Sequence, residues 1–294
     1  MPTGNDYLTT KEVAELLRIK ERKVYDLAAE EKIPCTRATG KLLFERTAIN
    51  QWLVSHSSGH ELITQAAPSL FAGSHDPLLE WAIRESRCGI PTLFDGSMDG
   101  LDLVLDNRAG VSAVHIYTPE TSEWNTSAVS EAISTEAVVL VRWVVRKRGI
   151  VSRAGSGAGS TISGIADMSG RKLVQRQPTS GSQLLLEHLL SETSVSLDTL
   201  DVVMTARSEA DLVLAIAESK AECGLGLESL AQQHELDFLP LVDEALDLLV
   251  DRRFWFEPAM QKFVAFCHSD TFKNYVSEQA GYCADDLFAV RYNS

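Results

Sequence analysis

From residue 69 onward the apolar positions fall into short blocks that switch between two periods. Short, mostly apolar blocks at 70–72, 90–93, 112–117, 137–145, 201–205 and 223–227 predict strands. Between them, apolar residues recur three and four apart at 78–87, 101–107, 184–190 and 208–219, which predicts helices with one face inward. Residues 238–242 and 246–250 read as two further strands, and 258–277 as closing helices. Strands alternating with helices predict an α/β architecture of open parallel sheets, with ligands bound in the crevice outside the carboxyl ends of the strands.

The stretch from Leu173 to Leu190 carries this pattern most sharply. Leu173 and Val174 end a strand, Pro178 stops it, and Thr179, Ser180, Gly181 and Ser182 lead into Leu184, Leu185, Leu186, Leu189 and Leu190 at helical spacing. A helix start has unpaired N–H groups and the positive end of the helix dipole; with small hydroxyls beside it, it suits an anion. On its own, such a turn needs no more than Thr179 or Ser180 as a helix cap. Two more turns of the kind occur, however. Gly73-Ser74-His75-Asp76-Pro77 has Ser74 or Asp76 as the cap, and Phe94-Asp95-Gly96-Ser97-Met98-Asp99-Gly100 precedes the helix at 101–107. His115 lies near the end of the strand at 112–117.

The first 57 residues follow a different pattern. Thr9 or Thr10 caps a helix with Val13, Ala14, Leu16 and Leu17 at apolar positions, and a second helix at 21–31 turns Val24, Leu27 and Ala28 inward before Ile33-Pro34 stops it. Residues 35–37 and 42–44, joined through 38–41, read as a hairpin or wing. A third helix at 46–54 carries Ile49, Trp52 and Leu53. A linker rich in Ser and Gly follows at 58–68; His56 and His60, four apart, have no third ligand nearby and read as linker polarity. The glycine-rich run at 152–163 lacks the lysine of a phosphate loop and the spacing of a dinucleotide turn, so it reads as a surface loop.

Charge and cysteine usage narrow the function. The net charge of -14 excludes a protein that coats nucleic acid through bulk charge. That charge is uneven: residues 1–57 are net +1 and the remainder net -15, so a DNA-binding module belongs only at the N-terminal end. The five cysteines form no Cys-x-x-Cys pair, which argues against a disulfide frame or zinc site and for a reducing cytoplasm. The N-terminus has no basic or apolar leader pattern, and the most apolar run is broken by Arg142 and too short to span a bilayer.

Residues 7–54, with Leu-Thr-Thr-Lys-Glu-Val-Ala-Glu-Leu-Leu, Val-Tyr-Asp-Leu, Ile-Pro and Ala-Ile-Asn-Gln-Trp-Leu in order, resemble the MerR and excisionase type of winged helix-turn-helix. The resemblance implies that Lys20, Arg22, Lys23 and Tyr25 enter the major groove of a double-stranded operator, while Arg37, Lys41 and Arg46 meet phosphates. From Leu70 to the C-terminus, Ala72-Gly73-Ser74-His75-Asp76-Pro77-Leu78-Leu79, Ala113-Val114-His115-Ile116, Val138-Val139-Leu140-Val141-Arg142, Arg176-Gln177-Pro178-Thr179-Ser180-Gly181-Ser182 and Gly224-Leu225-Gly226-Leu227 are similar to the periplasmic-binding-protein-like domain fused to helix-turn-helix domains in prokaryotic regulators, and to molybdate and tungstate binding proteins. This implies a two-lobed, type II periplasmic-binding-protein-like domain over 69–294. Lobe 1 would hold about 69–141 plus 248–294 and lobe 2 about 149–242, with crossings near 142–148 and 243–247. The ligand would sit between Ser74, His75, Ser97 and His115 on one lobe and Arg176, Thr179, Ser180, Gly181 and Ser182 on the other. Thr179 and Ser182 replace Gly and Thr of a consensus-like Arg-Gln-Pro-Gly-Ser-Gly-Thr, keeping the hydroxyls.

A fully ionised tetrahedral oxyanion needs only donors, which hydroxyls and backbone N–H groups supply; Arg176 would add charge if it points into the cleft, and His115 would make affinity depend on pH. The expectation is therefore a cytoplasmic one-component regulator that senses an oxyanion, molybdate or tungstate first, with no cofactor and no metal except within the ligand. It would act as a homodimer reading paired half-sites, without membrane contact. The alternatives are a small organic anion or cofactor precursor in the same cleft, and, more remotely, an enzyme. Ser74-His75-Asp76 cannot form a serine relay, because sequence neighbours project in different directions.

Overall fold

The computed structural model describes residues 7–30, 32–37, 40–55, 68–133, 136–153, 162–193 and 195–294. Most of the expected linker, His56, His60 and the glycine-rich run at 154–161 lie outside them. The chain divides into two compact units, 1–66 and 67–294.

The first unit runs β1 (Tyr7–Thr9), α1 (Thr10–Leu17), α2 (Glu21–Ala29), β2 (Leu43–Glu45) and α3 (Arg46–Ser55). Thr9 is the cap of α1: its hydroxyl accepts from the Glu12 N–H, and the Glu12 carboxylate accepts from the Thr9 N–H at 2.8 Å, a reciprocal capping box. Leu8, Val13, Ala14, Val24, Ala28, Ile33, Phe44 and Ile49 form the core. The Trp52 indole donates to the Lys32 carbonyl at 2.6 Å and holds α3 against the segment after α2. Of the expected hairpin at 35–44, the described residues show one bridge, between Thr36 and Leu43. β2 pairs instead with β1, Leu8 opposite Phe44, because that register buries both side chains.

The second unit is built on one continuous sheet of mixed direction. In lobe 1, β3 (Phe71–Gly73) lies parallel between β4 (Thr92–Phe94) and β5 (Val111–Val114). A two-stranded ribbon, β6 (Tyr117–Thr118) and β7 (Glu123–Trp124), stands apart from the main sheet. β8 (Val138–Ser152) leaves lobe 1 for lobe 2, where β9 (Lys172–Arg176) lies parallel to both β10 (Asp201–Ala206) and β11 (Cys223–Leu227). β12 (Asp237–Asp251) returns antiparallel to β8 along its length. β13 (Tyr282–Cys283) and β14 (Val290–Asn293) add to the other side of β8.

Two sequence expectations are corrected here. Residues 238–242 and 246–250 belong to the single 15-residue strand β12, and the strand at 137–145 continues to Ser152. The polar residues that look like breaks are cross-strand partners: Asp243 opposite Lys147, Glu244 opposite Arg146, and Asp247 opposite Arg142. Charges that would end an isolated strand are neutralised across this pair.

Helices cover both faces of the sheet in each lobe. α4 (Pro77–Ser86), α11 (Pro258–Cys267) and α12 (Asp270–Ser277) pack with Phe71, Trp143, Phe263 and Phe272; α5 (Ser97–Leu105) and α6 (Thr126–Ala132) pack with Ala72, Val114 and Leu249. In lobe 2, α7 (Gly181–Ser191) covers Leu173, while α8 (Glu209–Ala217) and α9 (Glu228–Gln233) cover Val174. Adjacent strand residues thus feed opposite cores, as a period of two requires. A single turn, α10 (Arg252–Trp255), follows β12. The open cap assignments also resolve. Asp76 caps α4 by accepting from the Leu79 N–H at 2.8 Å, with Pro77 in the first turn, and Ser180 caps α7 by accepting from the Gln183 N–H.

Candidate ligand site at the lobe junction

Ser74 leaves the carboxyl end of β3 and donates its N–H to the Ala113 carbonyl at 2.8 Å. Gly73 before it has φ +99°, and a β-carbon there would stand 2.2 Å from the same carbonyl, so only glycine lets the two strand ends approach this closely. The Ser74 hydroxyl lies 2.7 Å from His115 Nε2, and the His115 backbone N–H donates to Ser97 Oγ at 3.1 Å. Ser74, Ser97 and His115, 41 residues apart at the extremes, therefore meet at one point, each at most 2% exposed.

Lobe 2 closes onto that point through α7. A β-carbon on Gly181 would lie 2.1 Å from the His115 carbonyl oxygen and 2.8 Å from its Nδ1. Around this contact, the Met98 N–H donates to the Thr179 carbonyl at 3.3 Å, the Gln177 amide donates to the Asp95 carbonyl, and the Arg207 guanidinium pairs with the Asp95 carboxylate. The Ser180 hydroxyl is held within its own turn, donating to the Gln177 carbonyl at 2.9 Å, and the Thr179 side chain is exposed. Ser182 donates to Glu209 Oε1 at 2.9 Å. His75 is half-buried beside the Phe94 ring, with Nε2 3.2 Å from Glu80.

Arg176 is placed differently from the expectation of a free countercharge. Its guanidinium donates to Glu209 Oε1 at 2.7 Å and to the carbonyls of Ala206 and Arg207, so its charge is matched inside lobe 2.

Behind the hydroxyls lies a buried ionic chain absent from the sequence reading. His115 Nδ1 is 3.1 Å from Glu244 Oε2, a close ionic contact outside ideal hydrogen-bond direction. The Glu244 carboxylate accepts from Arg146 and Arg148; Arg146 also donates to Asp76 at 2.7 Å, where the Tyr282 hydroxyl donates at 2.6 Å. Arg148 pairs with Glu209 at 2.9 Å, which returns the chain to Arg176 and Ser182. It thus links the cap of α4 in lobe 1 to the first turns of α7 and α8 in lobe 2. Burial opposes the charge on Glu244, but Arg146 and Arg148 hold its carboxyl well below the usual range. Burial likewise opposes Glu209, and Arg148 and Arg176 overcome it. The His115 imidazole is pushed down by burial, against the pull of Glu244. One signal of this chain was readable: Arg146 and Arg148 stand two apart in β8, hence on one face, whereas an irregularity in pairing between Arg142 and Val144 turns Arg142 to the other, where it meets Asp247.

In the first unit, Lys20, Arg22, Lys23, Tyr25, Arg37, Lys41 and Arg46 are all exposed. Tyr25, Arg37 and Lys41 line a groove of about 590 Å³ with Lys11 and Thr9. Among the described residues, no helix is long and apolar enough to cross a membrane.

A small helical unit followed by two α/β lobes joined by a pair of crossing strands defines a helix-turn-helix domain fused to a two-lobed binding-protein fold. Residues 80–268 match the family model of the PBP superfamily domain, and the chain belongs to that family. Residues 7–57 match a helix-turn-helix domain. The protein YvgK of Bacillus subtilis (strain 168), described as uncharacterized, is 24% identical over 93% of this chain and 94% of its own length. Among solved structures, PhnD1 from Prochlorococcus marinus, in complex with methylphosphonate, superposes with a TM-score of 0.50 at 8% identity, over 76% of this chain and 93% of that one.

Proposed function

We propose that the chain is a one-component transcription regulator: the first unit binds an operator as a homodimer in the cytoplasm, and the second captures a small oxyanion, with molybdate and tungstate as first candidates. One observation carries the ligand reading. Ser74, Ser97 and His115 converge with the N-terminus of α7 at the lobe junction, giving hydroxyls and a helix dipole a common target. Ligand stabilises the closed lobes relative to open ones, and this bias changes the spacing of the paired DNA-binding units. The test is thermal melting of the full chain against molybdate, tungstate, sulfate, phosphate and small carboxylates. A rise with molybdate or tungstate that is absent with sulfate and lost in Ser74→Ala supports the reading. A rise only with carboxylates moves it to an organic anion.

The contacts Ser74 to His115 to Glu244 follow the order of a nucleophile, base and carboxylate relay. We read them as binding apparatus, because Ser74 is only 2% exposed and Glu244 already accepts from two guanidinium groups. Ester hydrolysis by the purified chain that disappears in Ser74→Ala would reverse this.

A further inference from the structure

His115 is fully buried, and its two ring nitrogens face different partners, the Glu244 carboxylate 3.1 Å from Nδ1 and the Ser74 hydroxyl 2.7 Å from Nε2. The charged groups that face the ring are Glu244 from β12 and Arg146 and Arg148 from β8; α5 contributes the Ser97 hydroxyl to the backbone, and α7 contributes the uncharged Gly181. Glu244 is ionised, since both guanidinium groups donate to it. Nδ1 therefore carries a hydrogen; a lone pair there would confront a carboxylate oxygen at contact distance.

That assignment settles what Ser74 can offer. In a neutral ring with hydrogen on Nδ1, Nε2 is an acceptor and takes the hydroxyl hydrogen of Ser74. The serine oxygen then presents only lone pairs toward the junction, and a fully ionised oxyanion also has only acceptors. The two repel. The hydroxyl hydrogen is freed for the anion only when Nε2 is protonated and donates to Ser74 Oγ.

We infer that capture of each fully ionised oxyanion takes up one proton from solvent onto His115 Nε2, the imidazolium then donating to Ser74 while its Nδ1–H faces Glu244. This deepens the oxyanion reading and rests on it. Without ligand, burial and two nearby guanidinium groups oppose the imidazolium; the incoming anion supplies the charge that favours it. The sensor therefore responds to the product of oxyanion and proton concentrations.

The test is isothermal titration calorimetry of the full chain with sodium molybdate, and with sodium sulfate as a second probe, in Tris and in HEPES at matched pH between 7 and 9. The difference in heat between the two buffers counts protons. Near one proton per ion is expected, with Kd rising about tenfold per pH unit. Binding without proton uptake and with a flat Kd overturns this inference and leaves the oxyanion reading intact. Absence of binding by either ion at every pH overturns both. His115→Gln is expected to bind weakly with no pH dependence; if it fails to fold, the proton count on the unaltered chain decides.

Discussion

Gly181 in lobe 2 and His115 in lobe 1 approach so closely that a single added methyl group would stand 2.1 Å from the His115 carbonyl oxygen. The contact joins the start of α7 to the residue that organises Ser74 and Ser97, so the fit of the lobes depends on the missing side chain. Gly181→Ala is expected to leave each lobe folded but hold the lobes apart. Small-angle scattering should show a larger radius of gyration, and any ligand-induced rise in melting temperature should fall or vanish. An unchanged radius with full ligand response would show that the backbone relaxes around the methyl.

Glu244 accepts from two fully buried guanidinium groups of β8, Arg146 and Arg148. Removing its charge leaves Arg146 and Arg148 buried with one fewer partner each, the situation in which breaking a buried pair costs about 3–5 kcal/mol. Glu244→Gln should lower the urea midpoint by a corresponding amount. Asp95→Ala, which breaks a solvent-exposed pair with Arg207 across the lobes, should change stability little, because exposed pairs contribute little. A Glu244→Gln variant as stable as the parent would mean that the guanidinium groups find water or other acceptors.

Acid should unfold the second unit through the same chain. Glu209 and Glu244 have folded pKa values held down, Glu209 against burial by Arg148 and Arg176, and Glu244 against burial by Arg146 and Arg148. The unfolded state binds protons more readily, so their contribution is fully present above the ordinary carboxylate range and is lost as pH falls through it toward the folded values. His115, depressed by burial, acts in the same direction from its own unfolded range downward. Urea unfolding from pH 7 to pH 3 should show stability falling with acid, and the Glu209→Gln slope should be shallower. Stability that rises on acidification would contradict the assignment.

The exposed cations of the first unit make separable predictions for DNA. Lys41→Ala, at the groove it shares with Tyr25 and Arg37, should weaken binding to all sequences alike and reduce the salt dependence by about one counterion. Tyr25→Ala, on the exposed face of α2, should instead reduce the preference for the operator over unrelated duplex. Fluorescence anisotropy at several salt concentrations distinguishes the two. Identical effects of both changes would place Tyr25 among the phosphate contacts.

The amino-acid sequence by itself determined the local architecture: the helix-turn-helix period over 7–54, the strand–turn–helix repeats after residue 69, and the three polar turns that begin helices. These follow from spacing and capping chemistry within a few residues of one another, so no distant partner is needed to read them. Even there, the choice between Thr9 and Thr10, between Ser74 and Asp76, and between Thr179 and Ser180 waited on which hydroxyl or carboxylate actually faced an N–H. Only the tertiary structure decided what happens to the charges. Arg146 meets Asp76 across 70 residues and Glu244 across 98, and Arg176 meets Glu209 across 33. Such pairs form because strand register and burial bring the groups together out of water, where an unpaired charge is too costly to keep. The same burial turned His115 from a strand-end residue into the link between Glu244 and Ser74, and made one 15-residue strand from what locally reads as two.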